Sequence, residues 1–497
     1  MNRTPQDFMR TSRRNLLKAA GGACGMMTNT SLLATLLNLQ ATKSLVAATD
    51  TSGYKALVCL FLNGGNDSYN MLIPNEGNAT TGEYGDYYSI RGGFDDGVSN
   101  EGGLAIEQSA LVPIVGPQSR SFGLHPGMAA EQGVDPIETN AGVAKLYNDG
   151  NLAFVCNIGA MSQPTTRADY DARVNLPLGL FSHADLQRHW QTSFPQSRNQ
   201  VNGWGGRLAD LLSSTNGNPS VSMNISVSGM NLFQTGVDVV PYAIGTGGAT
   251  QVYGYVPGLS GGGIQDRMFT RAFDNYLNET YSDLLAKSFS HAQRDSTDAA
   301  LAFNNATNSV SINTDFADES PSNHLKMIAR VIGARQQLGQ GRQIFFVNLG
   351  GWDNHTNLLD AHMTNLPRVS RAIKSFYDAM VDLEIENDVT LFTASDFART
   401  LSTNGQGSDH AWGGHQIVCG GAVNGGTFYG DYPELTTSNN LNIGRGRLIP
   451  TMSVDQLAAE IAMWFGVGND QDLETILPNI REFYASSETQ GPLGLFS

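Results

Sequence analysis

Two hydrophobic rhythms alternate along this chain. At 55–62 the residues Lys-Ala-Leu-Val-Cys-Leu-Phe-Leu form an apolar run that stops at Asn63-Gly64-Gly65. A strand that is apolar on both faces must be covered on both faces, as in a parallel sheet, and the glycines predict a tight loop at its carboxyl end. The pattern recurs at 152–158 and at 342–349, the latter ending in Gly350-Gly351. It recurs again at 389–393 and at 416–419, which ends in Gly420-Gly421. Between these runs lie segments with helical spacing: 141–148, a long amphipathic stretch at 358–386, and 454–465 behind the capping residue Ser453. Strand and helix in alternation predict an α/β fold, a mostly parallel sheet flanked by helices. Residues 218–262 break the rhythm, with Gly, Ser and Val in short alternating runs such as 222–227. They predict an irregular β-rich insertion at the sheet's edge or top. Two helical stretches near 264–293 and 322–339 follow, separated by an Asn/Ser/Thr-rich loop. The inserted subregion as a whole spans about 205–340.

The first 48 residues follow neither rhythm. Arg3 and Arg10 lead into Thr-Ser-Arg-Arg-Asn-Leu-Leu-Lys at 11–18, then a weakly apolar Gly/Ala stretch, then Leu45-Val46-Ala47-Ala48. A basic start, a modest apolar middle and a small-residue exit make a signal peptide, and the paired arginines mark the twin-arginine class. An amphipathic helix fits less well because Gly21, Gly22 and Gly25 weaken any helix meant to persist. A lipoprotein anchor at Cys24 is disfavoured by Gly21, where a large apolar residue is wanted. The expectation is a leader at 1–48, one mature domain at 49–497, and a periplasmic or extracellular destination. No later stretch stays apolar for the ~18 residues a membrane span needs, so no transmembrane anchor is expected in the mature chain.

Charge narrows the partners. Beyond residue 48 there are 24 basic and 45 acidic residues, a net charge of −21. Such a surface repels nucleic acid and anionic membranes. Cys59, Cys156 and Cys419 each fall in a strand-like apolar run and have no CxxC spacing, so they are expected to be buried and free.

In an open parallel sheet, ligands collect at the carboxyl ends of the strands. Those ends carry the residues with chemistry: Asn63 to Asn70 with Asp67 and Ser68, Gly350 to His355 with Asp353, Ser395 to Thr400 with Asp396 and Arg399, and Asp409 to His415 with His410. Carboxylate plus imidazole is a ligand set for zinc, manganese or iron, and calcium is a further candidate where carboxylates dominate. Each such residue also has an ordinary reading, because Asp and Asn after Gly turns cap helices and close Asx-turns. Ser182 opens a predicted helix running to about Gln191, which makes it either a nucleophile activated at a helix N-terminus or a plain N-cap. Thr165 and Ser68 are weaker nucleophile candidates. His125 and His183 either line the cleft or are structural. Arg399 and Arg167 are candidates to hold an anionic oxygen in bidentate fashion, or to pair with a neighbouring carboxylate.

Taken together, Leu62-Asn63-Gly64-Gly65-Asn66-Asp67, Gly351-Trp352-Asp353-Asn354-His355, Ser395-Asp396-Phe397-Ala398-Arg399-Thr400, Asp409-His410-Ala411-Trp412-Gly413-Gly414-His415 and the ending from Gly444-Arg445-Gly446-Arg447 to Trp464-Phe465-Gly466-Val467 resemble the domain-of-unknown-function 1501 family. The resemblance runs from about 55 to 485. That family is in turn distantly similar to the alkaline phosphatase and sulfatase superfamily. The resemblance implies metal ligands at the end of the first strand and in the C-terminal half. Carried over by position, the first-strand ligand falls on Asn63, a poor ligand, with Asp67 four residues on. Asp353 and His355 match an Asp/His pair with shortened spacing. Asp396 matches the Asp of an Asp-His dipeptide, but Phe397 stands where the His belongs. His410 or His415 matches the last His. The resemblance therefore implies a one-metal or rearranged site, with Asp67, Asp353, His355, Asp396, Asp409, His410 and His415 as its ligand pool. It does not support a full two-metal centre.

Two functions follow as expectations. One is an exported metal-dependent hydrolase of phosphate or sulfate esters. The other is a non-catalytic exported protein that binds a glycan, a protein or a cell-surface structure through a degenerate site on the same fold.

Overall fold

The computed structural model describes residues 53–95, 102–134, 139–218, 221–468, 470–484 and 491–496. The expected leader at 1–48 lies outside the described residues.

Strands β1 (Lys55–Leu62), β2 (Leu72–Pro74), β3 (Val112–Val115), β4 (Ser121–Leu124), β5 (Leu152–Gly159), β6 (Asn224–Ser226), β7 (Tyr242–Ala243), β8 (Arg342–Leu349), β9 (Val389–Ser395), β10 (Gly414–Cys419), β11 (Phe428–Tyr429) and β12 (Met452–Ser453) form two sheets. The large sheet has the order β11-β5-β10-β9-β1-β8-β6-β7, with β12 also paired to β5. It is mostly parallel: β1 pairs in parallel with β8 and β9, and β6 with β7 and β8. Strand β10 alone runs antiparallel, to β5 and β9. The three-stranded sheet β2-β4-β3 is antiparallel.

Both faces of the large sheet are covered, and β1 shows why its sequence is apolar throughout. Ala56, Val58, Leu60 and Leu62 enter one core with the helices α8 (Ser322–Gly333) and α9 (Leu358–Asp382). Leu57, Cys59 and Phe61 enter the opposite core with α4 (His183–Thr192), α5 (Trp204–Leu212) and α10 (Val454–Phe465). Each large apolar side chain so buried contributes about 1.5–3 kcal/mol. The remaining helices are α1 (Gly82–Ile90), α2 (Gly142–Asn148), α3 (Arg167–Ala172), α6 (Ile264–Asn278), α7 (Leu284–Asn308) and α11 (Asp470–Ile476).

The α/β reading with a mostly parallel sheet stands, and the five predicted apolar runs are β1, β5, β8, β9 and β10. Cys59, Cys156 and Cys419 are buried and free. Among the described residues of 218–262 the strands are β6 and β7, which extend the large sheet at its edge. The stretch expected as one helix near 264–293 breaks at 279–283 into α6 and α7, and α7 continues through residues expected to be loop. Among the described residues, no helix is long and apolar enough to cross a membrane.

Candidate metal centre

The strand directions converge the candidate loops. Strands β1, β8 and β9 are parallel, so Asn63, Gly350 and Asp396 leave the sheet at one edge. Because β10 is antiparallel to β9, its start at Gly414 lies at that same edge, which brings 409–413 beside the others. The loops pack closely. A Cβ on Gly64, whose φ is +124°, would meet the Asp353 backbone nitrogen at 2.4 Å. Only glycine tolerates both the conformation and the approach.

Asp353 stands at the centre. His183 Nε2 lies 3.4 Å from its Oδ2, while His355 Nε2 and His410 Nε2 lie 3.1 and 3.4 Å from its Oδ1. One ligand atom from each of His183, Asp353 and His410 lies within 4.8 Å of the others. The far side of each imidazole is held. His183 Nδ1 is 2.7 Å from Asp396 Oδ2, His355 Nδ1 is 3.1 Å from Asp409 Oδ1, and His410 Nδ1 is 2.7 Å from the carbonyl oxygen of Phe181. A carbonyl or carboxylate can only accept, so each Nδ1 carries a hydrogen, and each Nε2, itself turned to the Asp353 carboxylate, needs either a proton or a shared cation there. His355 Nε2 and His410 Nε2 face each other at 2.9 Å, and the buried His183 Nε2 has no hydrogen-bond partner. Lone pairs brought this close call for a proton or a cation between them.

The supports are themselves fixed. Asp396 is buried and accepts from Gly64 N at 3.1 Å and from Gln187 Nε2 at 2.8 Å. Gln187, one helical turn after His183, also donates to Asn63 Oδ1 at 2.9 Å. Arg399 is fully buried and donates to Asp353 Oδ1 at 2.8 Å and to the Gly64 carbonyl at 3.3 Å. Asp409 accepts from Arg445 and from Asn404 Nδ2. The hydrogen bond to Asp396 pushes the His183 pKa above its ordinary value, whereas burial pulls that of His410 below it. Partial burial works to raise the Asp353 pKa, but Arg399, His183 and His355 outweigh it and leave it below the usual carboxylate range.

The family model described as "Protein of unknown function (DUF1501)" matches residues 54–468. The chain belongs to the DUF1501 family. No curated protein matches it. A solved structure titled "Crystal structure of Ps i-CgsB in complex with k-i-k-neocarrahexaose" is similar over 89% of this chain and 78% of that one, at 9% identity and a TM-score of 0.32.

In this DUF1501 chain the structure brings together Asp353, His355, Asp396, Asp409, His410 and Arg399 from the sequence-derived set. Within that group Asp396 and Asp409 hold imidazoles, and Arg399 holds Asp353. The structure does not bring Asp67 or His415 to the cluster. Asp67 is buried in an ion pair with Arg91, which in turn donates to the Thr400 and Leu401 carbonyls. His415 is buried, accepts from Asn157 N at 3.2 Å and stacks on Tyr432, and burial pushes its pKa down to about 3. Its backbone N–H donates to Ser68 Oγ, which occupies that hydroxyl. Ser182 does hold the N-cap position of α4, but its side chain makes no capping bond. Thr165 donates to the Gln163 carbonyl, and Arg167 pairs with Asp171. His125 is buried and accepts from Gly127 N.

His183 is the residue whose part sequence reasoning undervalued. It and Gln187 share one helix face at i, i+4, a spacing readable in the sequence. Phe181 left no comparable signal, and Arg445 and Arg447 stood out only as part of the family resemblance, with no role attached. Arg447 Nε donates to the His410 carbonyl at 2.8 Å, and its guanidinium lies over the Phe181 ring.

Proposed function

We propose that this DUF1501 protein is an exported metal-dependent hydrolase of phosphate or sulfate esters on a sulfatase-like α/β fold, acting in the periplasm or outside the cell. The observation that carries the reading is the orientation of three of the nine histidines: each is tied at Nδ1 and aims Nε2 at Asp353. Histidine ligands held in this way are the usual inner and outer shells of a transition-metal site. His183, Asp353 and His410 would hold the ion, with His355 beside them. Two imidazole nitrogens favour zinc, manganese or iron over calcium, which prefers oxygen. Bound there, a divalent ion would supply Lewis-acid polarisation of an ester oxygen and a water acidic enough to attack near neutral pH.

The chain's own groups do the rest. Arg399 fixes the Asp353 carboxylate from the buried side. The Phe397 ring packs on His183 and His410 at centroid distances of 4.8 and 4.6 Å and excludes water from that flank. His355, half-exposed and backed by Asp409, is placed to hold a proton next to the reacting group. In this reading water is the attacking group, and no serine hydroxyl is needed.

The test is elemental mass spectrometry on protein purified without chelator or affinity metal. Stoichiometric metal that is lost in Asp353→Ala and His410→Ala, together with metal-dependent hydrolysis of an aryl phosphate or aryl sulfate, supports the hydrolase. A second reading, an exported binding protein on a degenerate site, is favoured by one observation: the pairing of Asp67 with Arg91 removes the carboxylate that a second ion would need. Bound metal without turnover of either ester would select that reading.

A further inference from the structure

Two bulky residues bracket His410 in a left-handed backbone conformation. Phe181, at φ 75°, supplies the carbonyl that fixes the imidazole, and Arg445, at φ 59°, sits in the turn behind it. Non-glycine residues rarely adopt positive φ. They persist there only when their surroundings over-determine them, which happens most often at functional sites. The Arg445 turn is indeed over-determined. Asn442 Oδ1 accepts from Gly444 N and Gly446 N at 2.9 and 3.0 Å, and Ile443 N bonds the Arg447 carbonyl at 2.9 Å. Ser402 N bonds the Arg445 carbonyl, and a Cβ on Gly446 would strike Leu401 Cβ at 2.4 Å.

This rigid turn delivers two guanidinium groups to the cluster. Arg447 lies against Phe181 and His410. Arg445 pairs with Asp409, the carboxylate behind His355, and its side chain is 44% exposed. Each group spends part of its five-donor fork on these contacts and keeps the remainder. The acids at the same mouth are Asp353, Asp396 and Asp409, and each already faces an arginine or an imidazole. In a chain whose mature part carries −21, Arg445 and Arg447 together with Arg399 balance the three acids beside this ligand cluster, so the negative field is locally neutralised.

We propose that the Gly444–Arg447 turn is the anion-recognition element of this site, and that it takes one tetrahedral oxyanion, sulfate or phosphate, through Arg445 and Arg447. The inference deepens the hydrolase reading and rests on it for the meaning of the anion, although the binding is measurable without turnover. The acidic remainder of the surface selects against polyanions, so the substrate class is an isolated sulfate or phosphate ester on a carrier of low negative charge.

The test is calorimetric titration of the purified full-length protein with sodium sulfate and sodium phosphate, against sodium chloride at equal ionic strength. Saturable binding of sulfate, phosphate or both is expected. Arg445→Gln and Arg447→Gln should each weaken it roughly tenfold or more, the loss expected for a charge-assisted bond. Arg445→Lys, which keeps the charge but loses the fork, should recover only part of the affinity. Metal content should be unchanged in Arg445→Gln, which shows that the cluster is intact. Binding of neither anion above chloride, or equal binding in Arg445→Gln and Arg447→Gln, would overturn the inference. So would tighter binding of a long-chain polyphosphate than of inorganic phosphate. If anions bind through the arginines but no metal is found, the hydrolase reading fails and this one stands; if metal is held and no anion binds, the reverse is true.

Discussion

Asp396 illustrates how a residue can matter to a metal site without touching the ion. Its Oδ2 holds His183 Nδ1 at 2.7 Å and shares Gln187, while Oδ1 takes the Gly64 N–H. Replacing it by asparagine keeps the shape but removes the charge that orients the imidazole. Asp396→Asn should therefore weaken zinc binding roughly 10–100-fold while leaving the protein folded. Competition with a chromophoric chelator measures this, and unchanged affinity would show that Asp396 is only a packing residue. Gly64→Ala tests the close approach instead. A Cβ 2.4 Å from the Asp353 nitrogen at φ +124° should destabilise the protein by roughly 2–3 kcal/mol and displace Asp353. Both metal content and the denaturation midpoint should fall. These glycine and carboxylate positions were legible in the sequence because they sit just past apolar runs. The pairing of His183 with Asp353 was not, because 170 residues separate them and spacing carries no information about which loops meet.

At the level of elements, continuous apolar runs identified the buried strands because a strand covered on both faces has no polar side to interrupt it. That signal says nothing about direction. The antiparallel setting of β10, which brings His410 to the ligand edge, could not be read from Gln416 to Cys419. The small sheet was also missed, since β2, β3 and β4 have three or four residues each and both Pro74 and Pro113 interrupt the pattern. Helix α10 was legible from Ser453, which does cap it, and the structure adds a charge that sequence hides. Asp455 in its first turn is buried, and desolvation pushes its pKa up to about 7 despite the hydrogen bond from the Ser453 hydroxyl. The unfolded chain releases this proton near 3.8, while the folded chain keeps it to about 7. Stability is thus fully present below the lower value and falls as pH rises through the window, by up to about 1.4 kcal/mol per pH unit. Asp455→Asn should flatten the dependence and stabilise the protein above pH 7. Parallel melting curves of both proteins from pH 4 to pH 8 decide it, and identical slopes would refute the assignment.

For the whole molecule, the candidate centre couples ligand binding to folding. Its ligands come from the start of α4, from the loop after β8 and from the loop before β10, segments that lie far apart in the chain and meet only in the folded state. An unfolded chain cannot offer that geometry, so an ion held there stabilises the native state by mass action. At a free concentration a thousandfold above Kd, the gain is about 4 kcal/mol. In a domain this large, such a gain moves the melting midpoint by on the order of 5 °C. Chelator should lower the midpoint of the native protein by this amount, and readdition of zinc or manganese should restore it. Asp353→Ala should melt near the chelated value and respond to neither treatment. The control matters because chelators also strip adventitious surface metal. Such loss would shift both proteins alike, whereas loss from this centre shifts only the one that retains the Asp353 carboxylate on which His183, His355 and His410 converge.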